Sequence, residues 1–211
     1  MCTTQKNNKF QAMLPLTMQR FIDAFSKLPA LGPRAATRLA FHLVNLDRGT
    51  LRALGNALLG LETLDRCERC FFFREGRQKL CGICNNASRE KKLIMIVEKE
   101  TDLISIEKIG KFRGHYLVLG DLAERGFLET TQRLRLQHLR KRIEEEMDGK
   151  AKEMIVALTP TTFGDFTADL IKHDFREYAE KITTLGRGIP TGGEIEFADE
   201  DTLRNAFERR G

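Results

Sequence analysis

Four cysteines near the middle of the chain constrain its folding more than any other feature. They run Cys67-Glu-Arg-Cys70, then ten residues, then Cys81-Gly-Ile-Cys84. Two C-x-x-C pairs brought together offer one divalent ion four thiolates in a tetrahedron. Two intervening residues let each pair turn both sulfurs toward one point. Gly82 suits the tight second turn, where a side chain would crowd the ion. Soft thiolates with no His among them favour zinc. One structural Zn²⁺ held by Cys67, Cys70, Cys81 and Cys84 is therefore expected. The other readings are two disulfides or four unrelated core cysteines, and disulfides fit poorly because nothing else in the chain looks secreted.

A chain of 211 residues makes one large or two small domains. The stretch from Met1 to Gln11 is polar and lacks the apolar core of a signal peptide. No apolar run approaches the ~18 residues of a membrane span. Four paired thiols then belong in a reducing compartment, so the expected location is cytoplasmic. Cys2 stands outside the cluster, in a tail over residues 1–14 expected to be mobile, and reads as a free thiol.

The formal charge of +5 is concentrated. Residues 1–50 carry seven Lys/Arg (Lys6, Lys9, Lys27, Arg20, Arg34, Arg38, Arg48) against Asp23 and Asp47, while residues 51–211 hold 28 of each sign. The whole excess precedes the cysteines, which points to a polyanion-binding end or to a merely soluble basic helix pair.

That basic end reads as helices. Leu14, Met18, Phe21, Ile22, Phe25 and Leu28 recur at helical spacing. Pro29 stops the helix, Gly32 is the residue expected to take a positive φ, and Pro33 opens a second helix to about Leu46. A third helix, about Gly49 to Leu64, has Leu51, Leu54, Leu58 and Leu61 on one side. Between the cysteine pairs lie Phe71, Phe72 and Phe73, which cannot all face one side of a strand. Packing around the metal module is their expected use, with base stacking the alternative.

Beyond the cysteines the pattern alternates. Strands are expected at Leu93–Val97, Tyr116–Leu119, Glu153–Leu158 and Ile182–Leu185. Helices are expected at about Thr101–Ile109, within the charged stretch 120–149, at Asp165–Ala179 and, capped by Asp199, at Thr202–Arg209. Such alternation predicts an α/β fold with a parallel sheet covered on both faces. Ligands of such sheets sit at the strands' carboxyl ends. Glu98 falls there, as does Thr159-Pro160-Thr161-Thr162-Phe163-Gly164-Asp165. The glycines of Gly186-Arg187-Gly188 and Gly192-Gly193 allow either an anion-binding loop or a simple turn.

Three resemblances overlay this reading. Lys27-Leu28-Pro29-Ala30-Leu31-Gly32-Pro33-Arg34, continuing to Arg38-Leu39-Ala40-Phe41-His42-Leu43, resembles a helix-hairpin-helix motif. That resemblance implies DNA-binding roles for Lys27, Gly32, Arg34 and Arg38. Arg34 and Arg38 lie four apart on one face of the second helix. Ala30 stands where such hairpins commonly carry glycine. The downstream half resembles a Toprim domain, in which a Glu ends the first strand and an Asp-x-Asp pair ends a later one to hold Mg²⁺. Glu98 fits, but Thr159 and Thr161 replace the aspartates, which leaves Glu98 and Asp165 as a partner-contact or vestigial metal site.

The order of parts resembles the RecR family of bacterial recombination mediators: helix-hairpin-helix, four-cysteine module, Toprim fold, then Ile189-Pro190-Thr191-Gly192-Gly193. Residues 15–65 would form the helical domain and 66–90 the zinc module. Residues 91–185 would form the Toprim-like domain, and 186–211 a Gly-rich loop with a C-terminal helix. The resemblance implies a DNA-repair protein without enzymatic activity. It would act with RecO, and in many bacteria RecF, at single-strand gaps in duplex DNA to help load RecA. It would assemble as a ring of several copies. Phe163-Gly164-Asp165 departs from the family's acidic-Gly-acidic triplet, so partner contacts there are expected to differ. The rival expectations are an active Toprim nuclease or primase, and a zinc-ribbon adaptor that binds only protein.

Overall fold

The computed structural model describes residues 13–122, 128–189 and 191–208. Residues 1–12 of the expected tail, with Cys2, and Pro190 lie outside them, while Leu14 packs against the first unit's core. Among the described residues no helix is long and apolar enough to cross a membrane. The chain divides into two units, one up to Thr63 and one from Leu64 onward.

In the first unit the heptad-like apolar spacing builds α1 (Leu16–Phe25) and α2 (Pro33–Val44). They close on a small core of Ile22, Ala36 and Ala40, flanked by Met18, Phe21, Phe25 and Leu31. Two alanines at the crossing let the helices approach, and the Phe21 and Phe25 rings stack at 4.0 Å. Pro33 occupies the first turn of α2, where its missing N–H costs nothing. The hairpin differs from expectation in one respect. Gly32 has φ −71°, and the left-handed residue is Ala30, at φ 61°. The cause is the turn Leu28–Leu31, closed by the Leu31 N–H on the Leu28 carbonyl at 3.2 Å. Pro29 fills its second position, and Ala30 takes the positive φ at the third, where a type II turn normally has glycine.

Helix α3 (Arg48–Gly60) starts at Asp47, whose carboxylate accepts the Thr50 N–H at 3.0 Å. It ends four residues earlier than its apolar pattern suggests, passing through a 3₁₀ turn at Leu61–Thr63 into a strand. None of its side chains is buried, and Leu51, Leu54, Leu58 and Leu61 stand exposed.

The second unit opens with a hairpin of β1 (Leu64–Arg66) and β2 (Phe73–Glu75), antiparallel with Asp65 opposite Arg74. Next come β3 (Leu93–Val97), α4 (Glu100–Ile109), β4 (His115–Val118), α5 (Thr130–Glu146), β5 (Glu153–Ala157), α6 (Thr162–Phe175) and β6 (Ile182–Thr184). The four later strands form a parallel sheet in the order β4-β3-β5-β6, with Val97 level with Val118 and Ala157. The chain leaves β3 on one side to make β4 and returns on the other to make β5. The strand order therefore switches between β3 and β5. After an arm with a 3₁₀ turn at Ile195–Phe197 comes α7 (Glu200–Glu208), where Asp199 accepts the Thr202 N–H at 2.8 Å.

Side chains along β3 divide the core by alternation. Ile94 and Ile96 face a layer containing Leu136, Leu139 and Ile143 of α5 with Ala168, Ile171 and Phe175 of α6. Met95 and Val97 face Tyr116, Val118, Leu103 of α4 and all four cysteines of the central cluster. The cysteine module is thus part of the second cover of the sheet. It shares one core with the α/β unit, where the sequence reading sets it apart as residues 66–90. Each buried aliphatic side chain here contributes about 1.5–3 kcal/mol.

The hairpin yields a prediction about stability. A left-handed L-residue costs roughly 1–2 kcal/mol, which glycine avoids at some cost in unfolded-state entropy. Ala30→Gly should raise stability by about 0.5–1 kcal/mol. Gly32→Ala should be near neutral, because a Cβ there meets no atom within 4 Å. Denaturant melts of both variants check this, and the opposite ranking would mean the turn is closed differently.

Candidate DNA hairpin and metal centre

In the hairpin, Lys27, Gly32, Arg34 and Arg38 are all exposed. Arg34 and Arg38 lie on the first turns of α2, and neither has an acidic partner among the described residues. The N–H groups of Arg34 and Ala35 fall in the first turn, where a helix offers them no carbonyl. Two free guanidinium groups beside free amides and the positive end of a helix dipole form a site suited to phosphate oxygens.

In the second unit the CERC pair forms the bend between β1 and β2, and the CGIC pair forms the loop that follows. The Cys67 N–H bonds the Phe72 carbonyl at 2.7 Å and the Glu68 N–H bonds the Lys79 carbonyl at 3.1 Å, which sets one pair against the other. All four sulfurs lie within 4.8 Å of one another, and Cys70 and Cys81 are 3.5 Å apart. Four sulfurs 2.3 Å from one zinc would be about 3.8 Å apart. The spacing suits a tetrahedral metal, and all four thiols are free of disulfides. The Cys81 N–H also points to the Cys67 sulfur at 3.3 Å, a donor of the kind that steadies a bound thiolate.

Electrostatics say the same. Hydrogen bonds from Cys70, Cys81 and Cys84 hold the Cys67 thiol well below its ordinary range, and hydrogen bonding with Cys67, Cys70 and Cys81 pushes Cys84 up. Protein atoms alone let charge settle on part of the set. A divalent cation is what would allow all four to ionise together.

Two details differ from the sequence reading. Gly82 is not required by its surroundings: its φ is not left-handed, and a Cβ there meets no protein atom within 4 Å. The left-handed residue is Phe71, at φ 62°, directly after Cys70. Its ring is held between Arg135, 5.0 Å away, and His138, 5.5 Å away. Phe72 packs beside the cysteines, and Phe73 lies under the Arg66 guanidinium at 4.3 Å.

At the strand ends, Glu98 and Asp165 do not share a cleft. Glu98 is buried beside Lys99, Thr159, Thr161 and Phe163, and its carboxylate lies 3.6 Å from the Lys99 ammonium. Lys99 also reaches Asp121 at 3.8 Å. An ammonium therefore stands beside the carboxylate that would hold a cation. Asp165 lies in a separate cleft with Pro160, Leu185 and Arg187, and takes a two-pronged salt bridge from Arg187. That bridge holds the Asp165 carboxyl below the usual range. Gly164 is irreplaceable for a local reason: a Cβ there would lie 1.9 Å from the Thr159 carbonyl oxygen.

Sequence reasoning also missed Arg142. It sits in the charged run Arg140-Lys141-Arg142 and reads as solvent-facing, yet only 4% of it is exposed. Its Nη1 donates to the Arg69 carbonyl, inside the CERC loop, at 3.2 Å. The one available signal is its place between Leu139 and Ile143 on the buried stripe of α5.

Comparison with known proteins supports the order of parts. Residues 18–61 match the RecR helix-hairpin-helix, residues 92–186 the Toprim domain, and residues 188–210 the RecR C-terminal region. The chain is 37% identical over 195 residues to the recombination protein RecR of Rubrobacter xylanophilus, covering 92% of this chain and 96% of that protein. For the same-named protein of Chloroflexus aurantiacus the identity is 38% over 202 residues, covering 94% and 95%. For that of Clostridium perfringens it is 36% over 197 residues, covering 93% and 96%. Identity at this level across nearly the full length of each relative, with three matched regions in one order, means that the chain belongs to the RecR family of recombination proteins.

Proposed function

We propose that this chain is a DNA-binding recombination mediator, without catalytic activity, that acts at single-strand gaps. The observation that carries this is the hairpin of the first unit, where exposed Arg34 and Arg38, free of acidic partners among the described residues, flank free helix N–H groups. Such contacts grip phosphate without reading bases, which suits a protein that acts at any gap. Lys27 adds charge, and Gly32 lets the backbone approach. The role follows the family: the protein cooperates with RecO, and with RecF where present, so that RecA displaces single-strand-binding protein in the cytoplasm.

Assembly into a ring of several copies is part of the same reading. It is supported by the uncovered leucines of α3 and by exposed Ile195 and Phe197 in the arm after β6. The Lys99 ammonium beside Glu98, and threonines at 159 and 161, support the absence of Mg²⁺-dependent catalysis. The metal at Cys67, Cys70, Cys81 and Cys84 is one structural zinc, which would contribute folding energy and do no chemistry on DNA.

Two predictions follow from these sites. Each phosphate contact adds about 0.9 to the dependence of log K on log salt. Arg34→Ala and Arg38→Ala should each flatten that dependence by about one on gapped duplex, and the double change to Glu should abolish binding at low salt. Binding that survives the double change in a folded protein would move the DNA site elsewhere, and Mg²⁺-dependent cleavage by the purified protein would sink the non-catalytic reading. Cys84→Ser should cost on the order of 4 kcal/mol or more, since it removes a metal ligand from a shared core. Thermal melts with zinc content measured on the same samples check this, and a stable, zinc-free, ring-forming variant would refute it.

A further inference from the structure

Arg142 is a buried cation that makes no salt bridge among the described residues. Its Nε and Nη2 have no hydrogen-bond partner among the described residues, and only Nη1 is used. The nearby acid is already engaged: Glu146 pairs with Arg69 at 2.8 Å. His115, buried on the same side of the sheet, cannot supply a negative charge. Burial, and the charges of Arg142, Arg69 and Arg89, pull its pKa down to about 4 and keep it neutral. Burying an unanswered guanidinium costs several kcal/mol, so such groups are found paired. What lies next to it is the cysteine cluster. The carbonyl that Arg142 binds belongs to the residue immediately before Cys70, and Cys84, Glu146 and Cys70 all act favourably on the guanidinium. Four thiolates around one divalent ion carry a net charge of two minus in a dry core. A metal-loaded cluster would thus set a buried dianion beside a buried cation that has two unused donors.

We propose that Arg142 is the counter-ion of the metal–thiolate centre, its Nε and Nη2 donating to the sulfurs of Cys84 and Cys70 when the four cysteines hold their ion. The inference rests on the zinc reading of those cysteines. Arg142 is a positioning residue and not a ligand. It lowers the charge of the centre, steadies the thiolates against protonation, and ties the CERC loop to α5 through the Arg69 carbonyl. The covering of the sheet on that side then depends on a charge pair as well as on the metal.

The test uses the full chain purified with zinc. Metal content is measured first, then zinc is competed with a chromophoric chelator at one fixed pH for wild type, Arg142→Met and Arg142→Lys. The expected result is one zinc per wild-type chain, affinity weakened about 10–100-fold in Arg142→Met, as for lost outer-shell partners, and most of the loss recovered in Arg142→Lys. A purely space-filling role would leave Lys no better than Met. Equal affinity in wild type and folded Arg142→Met overturns the counter-ion proposal and leaves the zinc reading standing, whereas a wild-type chain that binds no metal overturns both. Should Arg142→Met fail to fold, ¹¹³Cd-loaded wild type decides the matter. A scalar coupling from the Arg142 side-chain N–H protons to the metal is expected, and its absence would overturn the proposal.

Discussion

Four thiolates held within 4.8 Å of one another repel until something positive lies among them. That constraint organises the larger unit. The cysteines are buried against Met95, Val97, Tyr116 and Val118, on the face of the sheet that α5 and α6 do not cover. The backbone joins the same contact, with the Val118 N–H bonding the Cys70 carbonyl at 2.8 Å. A doubly wound sheet needs both faces covered. Here α4 covers part of the second face, and the hairpin with its cysteine loops covers the rest. A segment this short cannot build a core of its own. It can complete a layer if a metal fixes its shape, and its loss would uncover the side of β3 and β4 that it shields.

Which parts of this were legible in the sequence follows from what kind of signal each part leaves. The continuous apolar run Leu93–Val97 and the periodic spacing in α1 and α2 are written in side-chain order, so strands, helices and the parallel sheet could be read within a few residues. The cysteine spacing named its own chemistry. The β1–β2 hairpin left no trace, because its strands are three residues each and mostly exposed, with no alternation to detect. The positive φ at Phe71 is hidden for the opposite reason, a residue that disfavours that conformation held in it by its surroundings, whereas the hairpin resemblance marks Ala30 as a glycine position. Arg142 was hidden because charge in a helix is ordinarily a sign of solvent, and only the tertiary fold places it against the cysteine loops.

The two units also divide their electrostatics. In the first, Arg34 and Arg38 are exposed and without an acidic partner among the described residues, which suits an incoming polyanion. In the second, several cations are paired within the fold. Arg69 meets Glu146, Arg187 meets Asp165, and Lys99 meets both Glu98 and Asp121. The net charge of the sequence follows the same division, since all of the excess lies in the first 50 residues.

The end of the sheet carries this contrast furthest. A carboxylate at the strand switch point is where an α/β fold would place a metal for phosphoryl transfer. Glu98 occupies that point, with the Lys99 ammonium and three threonines lining its cleft, and the nearby Asp121 carboxylate is held by the same ammonium. A divalent cation entering there would meet Lys99 repulsion and gain few hard anionic ligands in return. The loop beyond is stiff as well. Thr161 caps α6 by accepting the Gly164 N–H at 3.1 Å, the Thr159 carbonyl closes over Gly164, and Arg187 clamps Asp165 from the far side of β6. A loop held at three points, with its one free-standing aromatic, Phe163, partly exposed beside Glu98, is built to present a fixed surface. The strand order of a Toprim domain is retained here, with an ammonium beside the carboxylate at its switch point.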